Sequence, residues 1–493
     1  MANVRHLVLV LILACSVTTY INRTNLNIAI VPMTAKNVPA VGPHEGLGEI
    51  QRPHGCPAKP HANTSSPAAE NARRVEERSY DWDQVTQGKI LGAFFYSYFI
   101  FMIPSGRLAE KFGSRWIIFA SLSGPAFASF LVPFVTDYHY SILMATRFLL
   151  GMFQSGFYSA AYGMVCNWFP VKERAFGFAV VELGSAGGSV ITYASAGVII
   201  NHYGWPFLFF IPSTIALVVS LLFLIITRNK PEQHPMVTGE EVKIIRMIGS
   251  EENTQKMKGL SAPWSLMLTN ASVLSTMLFK FALLTCTSLI YLELPKYLSE
   301  VLHENISDNG SINALINILC VISMVSCGVI SEKMIERRWM SRTATRKVFS
   351  FFVGTMSAVC LALVPVVGCE TSYLYILLCM WGFFAGFYTG SDVPIVSEMT
   401  IHFPATLYAL FNMVAMSAGF VVPYFAGLVL DSFDDPTAGW PIVFYSCSGL
   451  SIFANIIFIL FAKAERQPFD LIPEEHLVLT SSANRQRRSS VYI

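Results

Sequence analysis

Apolar runs near residues 7–34, 88–110, 115–136, 140–168, 175–200, 205–227, 271–298, 312–332, 346–367, 372–399, 407–430 and 440–463 dominate the chain. Each matches or exceeds the roughly 20 residues with which an α-helix crosses about 30 Å of hydrocarbon. The pattern predicts an all-α membrane protein with twelve transmembrane helices. The first run is too long, and too polar in its second half, for a cleavable signal peptide, and reads as helix 1. Three stretches are plainly polar: 35–87, rich in Pro, His, Glu and Arg; 228–263, carrying Pro231 and Pro235; and the segment from Glu465. They divide the chain into an N-terminal six-helix half (1–227, with an exterior loop at 35–87), a cytosolic linker (228–263), a C-terminal six-helix half (264–464) and a disordered cytosolic tail (465–493).

Composition agrees with a bilayer as solvent: 53% of residues are hydrophobic and 13% charged, and no room is left for a separate soluble domain. The net charge of +2 says little; the placement of the cations says more. Lys111 and Arg115, Lys172 and Arg174, Arg228 and Lys230, and the run Lys333, Arg337, Arg338, Arg342, Arg346 and Lys347 all follow even-numbered helices. The positive-inside rule puts these loops and both termini in the cytosol. Glycosylation sequons at Asn63, Asn305 and Asn309 fall in the loops after helices 1 and 7, which this topology places outside.

The chain repeats itself. Gly106-Arg-Leu-Ala-Glu-Lys111 is echoed by Gly328-Val-Ile-Ser-Glu-Lys333, an offset of 222. Gly156-Phe-Tyr-Ser159 recurs as Gly386-Phe-Tyr-Thr389, Ser185-Ala-Gly187 as Ser417-Ala-Gly419, and Gly204-Trp-Pro-Phe-Leu-Phe-Phe210 as Gly439-Trp-Pro-Ile-Val-Phe-Tyr445. Four echoes in one order mean a six-helix unit present twice, the plan of carriers whose solute site lies between two rocking halves.

Charge inside the apolar runs points to the solute. Ser16, Tyr20, Arg23, Thr24 and Asn27 recur at helical spacing and give helix 1 a polar stripe; Arg147, Gln154 and Tyr158 do the same for helix 4. An intramembrane Arg costs from about 2.5 to more than 10 kcal/mol, so it must face protein, water or an anion. Two in one half form a permanently charged fork suited to carboxylate or phosphate, or else each pairs with an internal acid or backbone carbonyls and only braces helices.

The stretch Gly106-Arg-Leu-Ala-Glu-Lys-Phe-Gly-Ser-Arg115 resembles the helix 2–3 loop signature of the major facilitator superfamily. In it Gly106 and Gly113 permit tight turns, and Glu110 with Arg115 could latch helix ends in one conformer, with Glu332 and Lys333 as the counterparts in the second half. Within that superfamily the chain is similar, over nearly its whole length, to the anion:cation symporters, which include sialin, vesicular glutamate carriers and sodium-phosphate cotransporters. The bearing segments are Arg23–Met33, Gly88–Tyr98, Arg147–Gly151, Trp168–Arg174, Leu294–Leu298 and Glu465–Phe469. The resemblance implies the major facilitator fold and an anionic substrate, and it places Arg23 and Arg147 where the family carries anion-binding arginines.

The departures narrow this. Gln154 stands where sialin-like and glutamate-carrying members have a Glu, Leu91 where glutamate carriers have a His, and Leu283 where they have an Arg; Lys280 lies one turn before it. The helix 10 element of the family is altered to Ile395-Val-Ser-Glu398, which retains only the acid Glu398. Glu182 in helix 5 and Asp392 in helix 10 lie where the family has no acid. With Glu398 they are the candidates to carry a coupling proton or bind Na⁺, with a static salt bridge from Glu182 to Arg147 or Arg23 as the alternative. Lys280 joins Arg23, Arg147, Tyr20, Asn27, Gln154 and Tyr158 as a candidate for substrate contact.

Transport of small anions, of phosphate or organic-anion type, by coupling to Na⁺ or H⁺ or by membrane potential is the expectation. A proton-coupled sialate exporter or vesicular carrier, and a membrane sensor without transport, are the alternatives. No catalytic constellation, phosphate-binding Gly-rich loop, metal site or cofactor is expected, nor any nucleic-acid partner. His44, His54 and His61 read as solvated, and Cys56 and Cys369 as a possible bridge between exterior loops. The basic tail at 485–490 and the terminal Val491-Tyr-Ile493 could be read by a tail-binding partner. Plasma membrane and lysosomal or vesicular membrane both stay open.

Overall fold

The computed structural model describes residues 4–34, 79–170, 174–239, 263–302, 304, 306–400, 403–433 and 435–470, and their regular secondary structure is entirely helical. The first half contains α1 (Val4–Thr34), α2 (Gln84–Phe112), α3 (Ser114–Val135), α4 in two pieces, α4a (Tyr140–Gln154) and α4b (Phe157–Trp168), α5 (Arg174–Tyr203) and α6 (Phe207–Ile226). The second contains α7 (Ala271–Glu300), α8 (Ile306–Glu336), α9 (Arg342–Val367), α10 (Thr371–Met399), α11 (Thr406–Asp431) and α12 (Trp440–Phe461). Among the described residues eleven helices are long and apolar enough to cross a membrane, and α4 reaches that length only with its two pieces together. The twelve crossings match the apolar pattern, but several helices outrun it. α9 begins at Arg342 because Ser341 caps it, its hydroxyl accepting from the Ala344 N–H at 3.2 Å. Polar first turns of this kind are invisible to hydropathy.

The break in α4 falls at Ser155-Gly156, and α10 is interrupted by a tighter helical turn at Gly386–Gly390. These are the two copies of the Gly-Phe-Tyr echo. The duplication is also written in contacts. Gly106 of α2 faces the Ser159 hydroxyl of α4b, and Gly328 of α8 faces the Thr389 hydroxyl of α10, each pair joining two echoed positions. Gly106 is thus a helix-packing position inside α2 and makes no turn. Gly113 does turn, with φ of +88°, and a Cβ there would strike the Asn229 side chain.

The halves meet where α2 lies along α11, α5 along α8 and α1 against α7. Apolar clusters cross this seam at the end where α1 finishes, where Ala314 and Tyr291 join Leu26, Ile30 and Tyr193, and at the depth of Arg23, where Phe94, Phe95 and Tyr98 pack with Leu292, Met416 and Phe420. At the opposite end, which carries the α2–α3 turn, the clusters stay within their own half, one around Trp168 and Phe223, the other around Phe279 and Phe458. Among the described residues, apolar packing therefore joins the halves at the first end and not at the second. Backbone-close packing makes the join, since a Cβ on Gly88 would lie 2.3 Å from the Pro423 carbonyl oxygen.

Polar bonds close the rim. Asp431, at the end of α11, accepts from the first-turn N–H groups of Gln84 and Val85 of α2 at 3.2 and 3.0 Å, and Gln84 Nε2 donates to Glu300 at 2.7 Å. A carboxylate at a helix N-terminus satisfies otherwise orphaned donors and opposes the positive end of the dipole.

Three sequence expectations change at the edges. The first half does not end at 227: Trp168 Nε1 donates to Arg228 O at 3.0 Å and His234 Nε2 meets Ile226 O at 2.9 Å, which stitches the chain through the 230s onto it. The tail is ordered to Asp470, whose carboxylate takes Arg466 Nε at 2.7 Å and the Thr400 hydroxyl at 2.5 Å. Asn309, read as a glycan acceptor, is 2% exposed, and its Nδ2 donates to Pro295 O at 2.7 Å, so it has no free amide to offer. Cys369 is disulfide-bonded. Asn63, Asn305, Cys56, the three exterior histidines and the tail beyond 470 lie outside the described residues.

Asp431→Ala should weaken the rim cap by about 0.5–2 kcal/mol. Hydrogen exchange at the Gln84 and Val85 amides should then quicken by about 2- to 30-fold while exchange in the middle of α3 is unchanged.

Candidate functional site

Arg23, midway along α1, projects into an aromatic box. Its guanidinium carbon lies 5.2, 4.7, 5.0 and 5.4 Å from the ring centres of Tyr20, Phe94, Phe95 and Tyr98. Such faces stabilise a cation by about 0.5–2 kcal/mol each without neutralising it. Nη1 also donates to the Tyr20 hydroxyl at 3.4 Å. Arg147 of α4a comes up beside it: Nη2 donates to the Arg23 carbonyl oxygen at 3.2 Å. Arg147 is 2% exposed, and its Nε and Nη1 are buried without a hydrogen-bond partner. Neither arginine is ion-paired with a carboxylate among the described residues. Burying charged donors unsatisfied costs several kcal/mol, and such donors are chemically able to take an anion.

The rest of the first-half set surrounds this pair. Gln154 donates through Nε2 to Thr19 O at 2.9 Å, fixing α4a to α1 just before the helix break. Tyr158, beyond the break, packs edge-on against Tyr20 with ring centres 6.3 Å apart, and Asn27 is buried one helical turn above Arg23. Glu182 of α5 pairs with neither arginine; the Tyr162 hydroxyl donates to its Oε1.

In the second half Lys280 and Asp392 form a buried salt bridge of 3.1 Å between α7 and α10, and Nζ lies 4.8 Å from the Tyr408 ring centre. Lys280, expected from the sequence to take substrate, is therefore already engaged in this conformer. Glu398, expected to couple an ion, is engaged otherwise. It holds Arg346 of α9 bidentately, Oε2 to Nε at 3.1 Å and Oε1 to Nη2 at 2.7 Å, while Glu332 takes Nη2 at 2.8 Å and Gly390 O takes Nη1 at 3.2 Å. All the oxygens of Glu398 are committed to one permanently charged partner, which makes it a clasp among α8, α9 and α10.

The inner-end latch differs from its sequence reading. Arg115 Nε and Nη2 both donate to Leu224 O at the end of α6, and its backbone N–H donates to Asn229 Oδ1 at 2.9 Å, so it caps a neighbouring helix. The Glu110 side chain lies outside the described set. Lys333 is exposed, and Glu332 closes on Arg346, not on its neighbour. Sequence reasoning took Arg346 for one more topology-setting cation. Its signal was Glu398, an acid in an apolar helix to which no cation had been assigned. Phe94, Tyr98, Tyr162 and Tyr408 were missed because an aromatic residue in an apolar helix carries no signal of its own.

A duplicated bundle of twelve crossings, parted at one end over a cationic centre, defines a secondary carrier. The family model described as Major Facilitator Superfamily matches residues 12–423, and the chain belongs to that superfamily. Within it the chain groups with the anion:cation symporters. It is 26% identical to human (Homo sapiens) sialin over 92% of this chain and 88% of that protein. It is 27% identical to a putative inorganic phosphate cotransporter of Drosophila melanogaster, over 94% and 86%. It is also 25% identical to vesicular glutamate transporter 1 of Xenopus laevis, over 81% and 69%. Among solved structures its fold is similar to a bacterial homologue of the human lysosomal transporter Spinster in an inward-facing, unoccupied conformation (TM-score 0.68, 13% identity, 95% of this chain and 100% of that one). It is also similar to a D-xylose–proton symporter (TM-score 0.60, 12% identity, 93% and 99%). These relatives are transporters, and the chain is a multi-pass membrane protein.

The two acids on Arg346 should differ sharply in worth. Glu398→Gln breaks a buried pair and should cost about 3–5 kcal/mol, whereas Glu332→Gln, on a side chain that is 57% exposed, should cost no more than about 1 kcal/mol. Thermal unfolding of the purified variants in detergent checks the order.

Proposed function

We propose that this protein moves small anions across a membrane by alternating access, binding them between Arg23 and Arg147. The observation that carries this is the buried Arg147, whose Nε and Nη1 have no partner and which has no ion pair among the described residues. The aromatic box around Arg23 favours anions with an organic body, whose apolar parts can pack on the rings while an acidic group meets the guanidinium groups. Relatives named for sialate, urate, phosphate and glutamate carriage support the class. With the positive-inside loops and both termini in the cytosol, the parted end is the cytosolic one and this conformer is inward-facing. Of the three acids expected to couple H⁺ or Na⁺, Glu398 is locked to Arg346, which leaves Glu182 and Asp392 as alternative candidates.

Uptake of labelled phosphate, sialate, urate and glutamate into liposomes holding the purified protein tests the reading. Arg147→Gln should weaken apparent affinity for the transported probe by about 10- to 150-fold, the worth of a charge-assisted hydrogen bond. Arg147→Lys should recover part of it, because the charge stays while the planar fork is lost. Unchanged affinity in Arg147→Gln refutes the site, and binding without flux in the parent protein marks a sensor.

A further inference from the structure

The two halves treat their central cations differently. Arg23 and Arg147 have no ion pair among the described residues, but Lys280 has one on its own side of the cavity: Asp392 Oδ2 lies 3.1 Å from Nζ, and both side chains are buried. A buried pair confined to one half does nothing to hold the halves together. It also adds little net stability over apolar residues of the same size, because desolvation offsets the attraction. Its geometry suits exchange better than bracing. Asp392 Oδ1 is buried and accepts no hydrogen bond. The residue opens the last helical piece of α10, Asp392–Met399, directly after the interruption at Gly386–Gly390. A carboxylate next to a helix interruption can swing without unwinding a regular turn.

The surroundings place the pair on the transport path. Tyr408 of α11 lies under the ammonium, and Tyr388 of α10 is close to Asp392. From the opposite half the carboxylate of Glu182 of α5 acts weakly on Lys280 through space, and Tyr20 of α1 contacts Arg23. An anion on the two arginines needs a cation of the second half if binding is to draw the halves together, and Lys280 stands there with its charge already answered.

We propose that Asp392 holds Lys280 in place of the transported anion, and that a proton taken up by Asp392 frees the ammonium for that anion. The inference rests on the anion-transport reading above. The proton goes from solvent to Oδ1, the oxygen without a partner. Lys280 keeps its own proton, and an anionic oxygen of the substrate replaces Oδ2 at Nζ. Release of the anion lets Asp392 return its proton and re-form the pair, so one proton travels with each anion. Glu182, held by Tyr162, takes no part in the exchange.

The test measures uptake of labelled phosphate, sialate, urate and glutamate into liposomes, with the pH on the entry side varied. It compares the parent protein with Asp392→Asn, Lys280→Gln, Glu182→Gln and the charge-swapped double variant Lys280→Asp/Asp392→Lys. In the parent, uptake of the transported probe should rise on acidification by up to about tenfold per pH unit, the limit for one linked proton. Asp392→Asn should transport at neutral pH with less than about a twofold response, because its lysine is already free. Lys280→Gln should lose about 10- to 150-fold in affinity, and Glu182→Gln should keep the acid response. The swapped variant should melt like the parent yet transport poorly, since a bridge is restored but the ammonium is displaced. Should Asp392→Asn fail to fold, the double variant Lys280→Gln/Asp392→Asn, which leaves neither charge unpaired, carries the same expectation of a flat pH profile. A full acid response in Asp392→Asn, its loss in Glu182→Gln, or wild-type transport by the swapped variant overturns the proposal. Failure of the underlying reading looks different: the parent then moves none of the four probes, and both fall together.

Discussion

A guanidinium buried in protein that is itself surrounded by hydrocarbon must be answered by something, and among the described residues no carboxylate answers Arg147. The side chain lies in α4a against the Arg23 carbonyl, with two of its donor nitrogens unused. The acids that the apolar helices carry as coupling candidates have other partners. Glu182 is taken by Tyr162, Asp392 by Lys280 and Glu398 by Arg346. The neighbours that do touch the arginines are aromatic faces and backbone carbonyls, which hold a cation without cancelling its charge. The cost of leaving that charge open is several kcal/mol, recovered only when an anion arrives.

Around this centre the duplicated frame has kept its mechanics and changed its chemistry. Gly106 meets Ser159 and Gly328 meets Thr389, so α2 and α8 contact α4 and α10 through equivalent points. α4 is interrupted just before Ser159, and α10 over the stretch that contains Thr389. Yet the charges differ: two arginines without acids in one half, and in the other a lysine and an arginine each matched to acids. A rocking motion needs the frames to be alike. Recognition and coupling need the two faces to differ.

Much of this was legible in the chain itself. The twelve crossings follow from apolar length, the duplication from four echoes, and Arg23, Arg147, Glu182 and Asp392 from the cost of charge in hydrocarbon, a signal strong enough to survive without any fold. What was not legible is pairing. Nothing in the spacing of Lys280 and Asp392, or of Arg346 with Glu332 and Glu398, says that they meet, because they lie on different helices and their approach is decided by how those helices pack. Asn309 shows the opposite limit. Its sequon is a local pattern, but its burial against Pro295 is a fact of tertiary structure. Helix 4 escapes a search for one long apolar helix for a related reason: its two pieces span only together.

The glycine seam between α2 and α11 has a consequence for leakage. Contacts in which a Cβ would lie 2.3 Å from a facing carbonyl oxygen leave no gap for a water file. A gap of about 0.5–1 Å already forfeits a quarter to a half of the dispersion between such surfaces. A half-opened seam would lose much of its attraction while admitting no solute, which favours a barrier that is either shut or fully parted. A protein sealed in this way can expose a charged centre to one compartment without becoming a channel to the other.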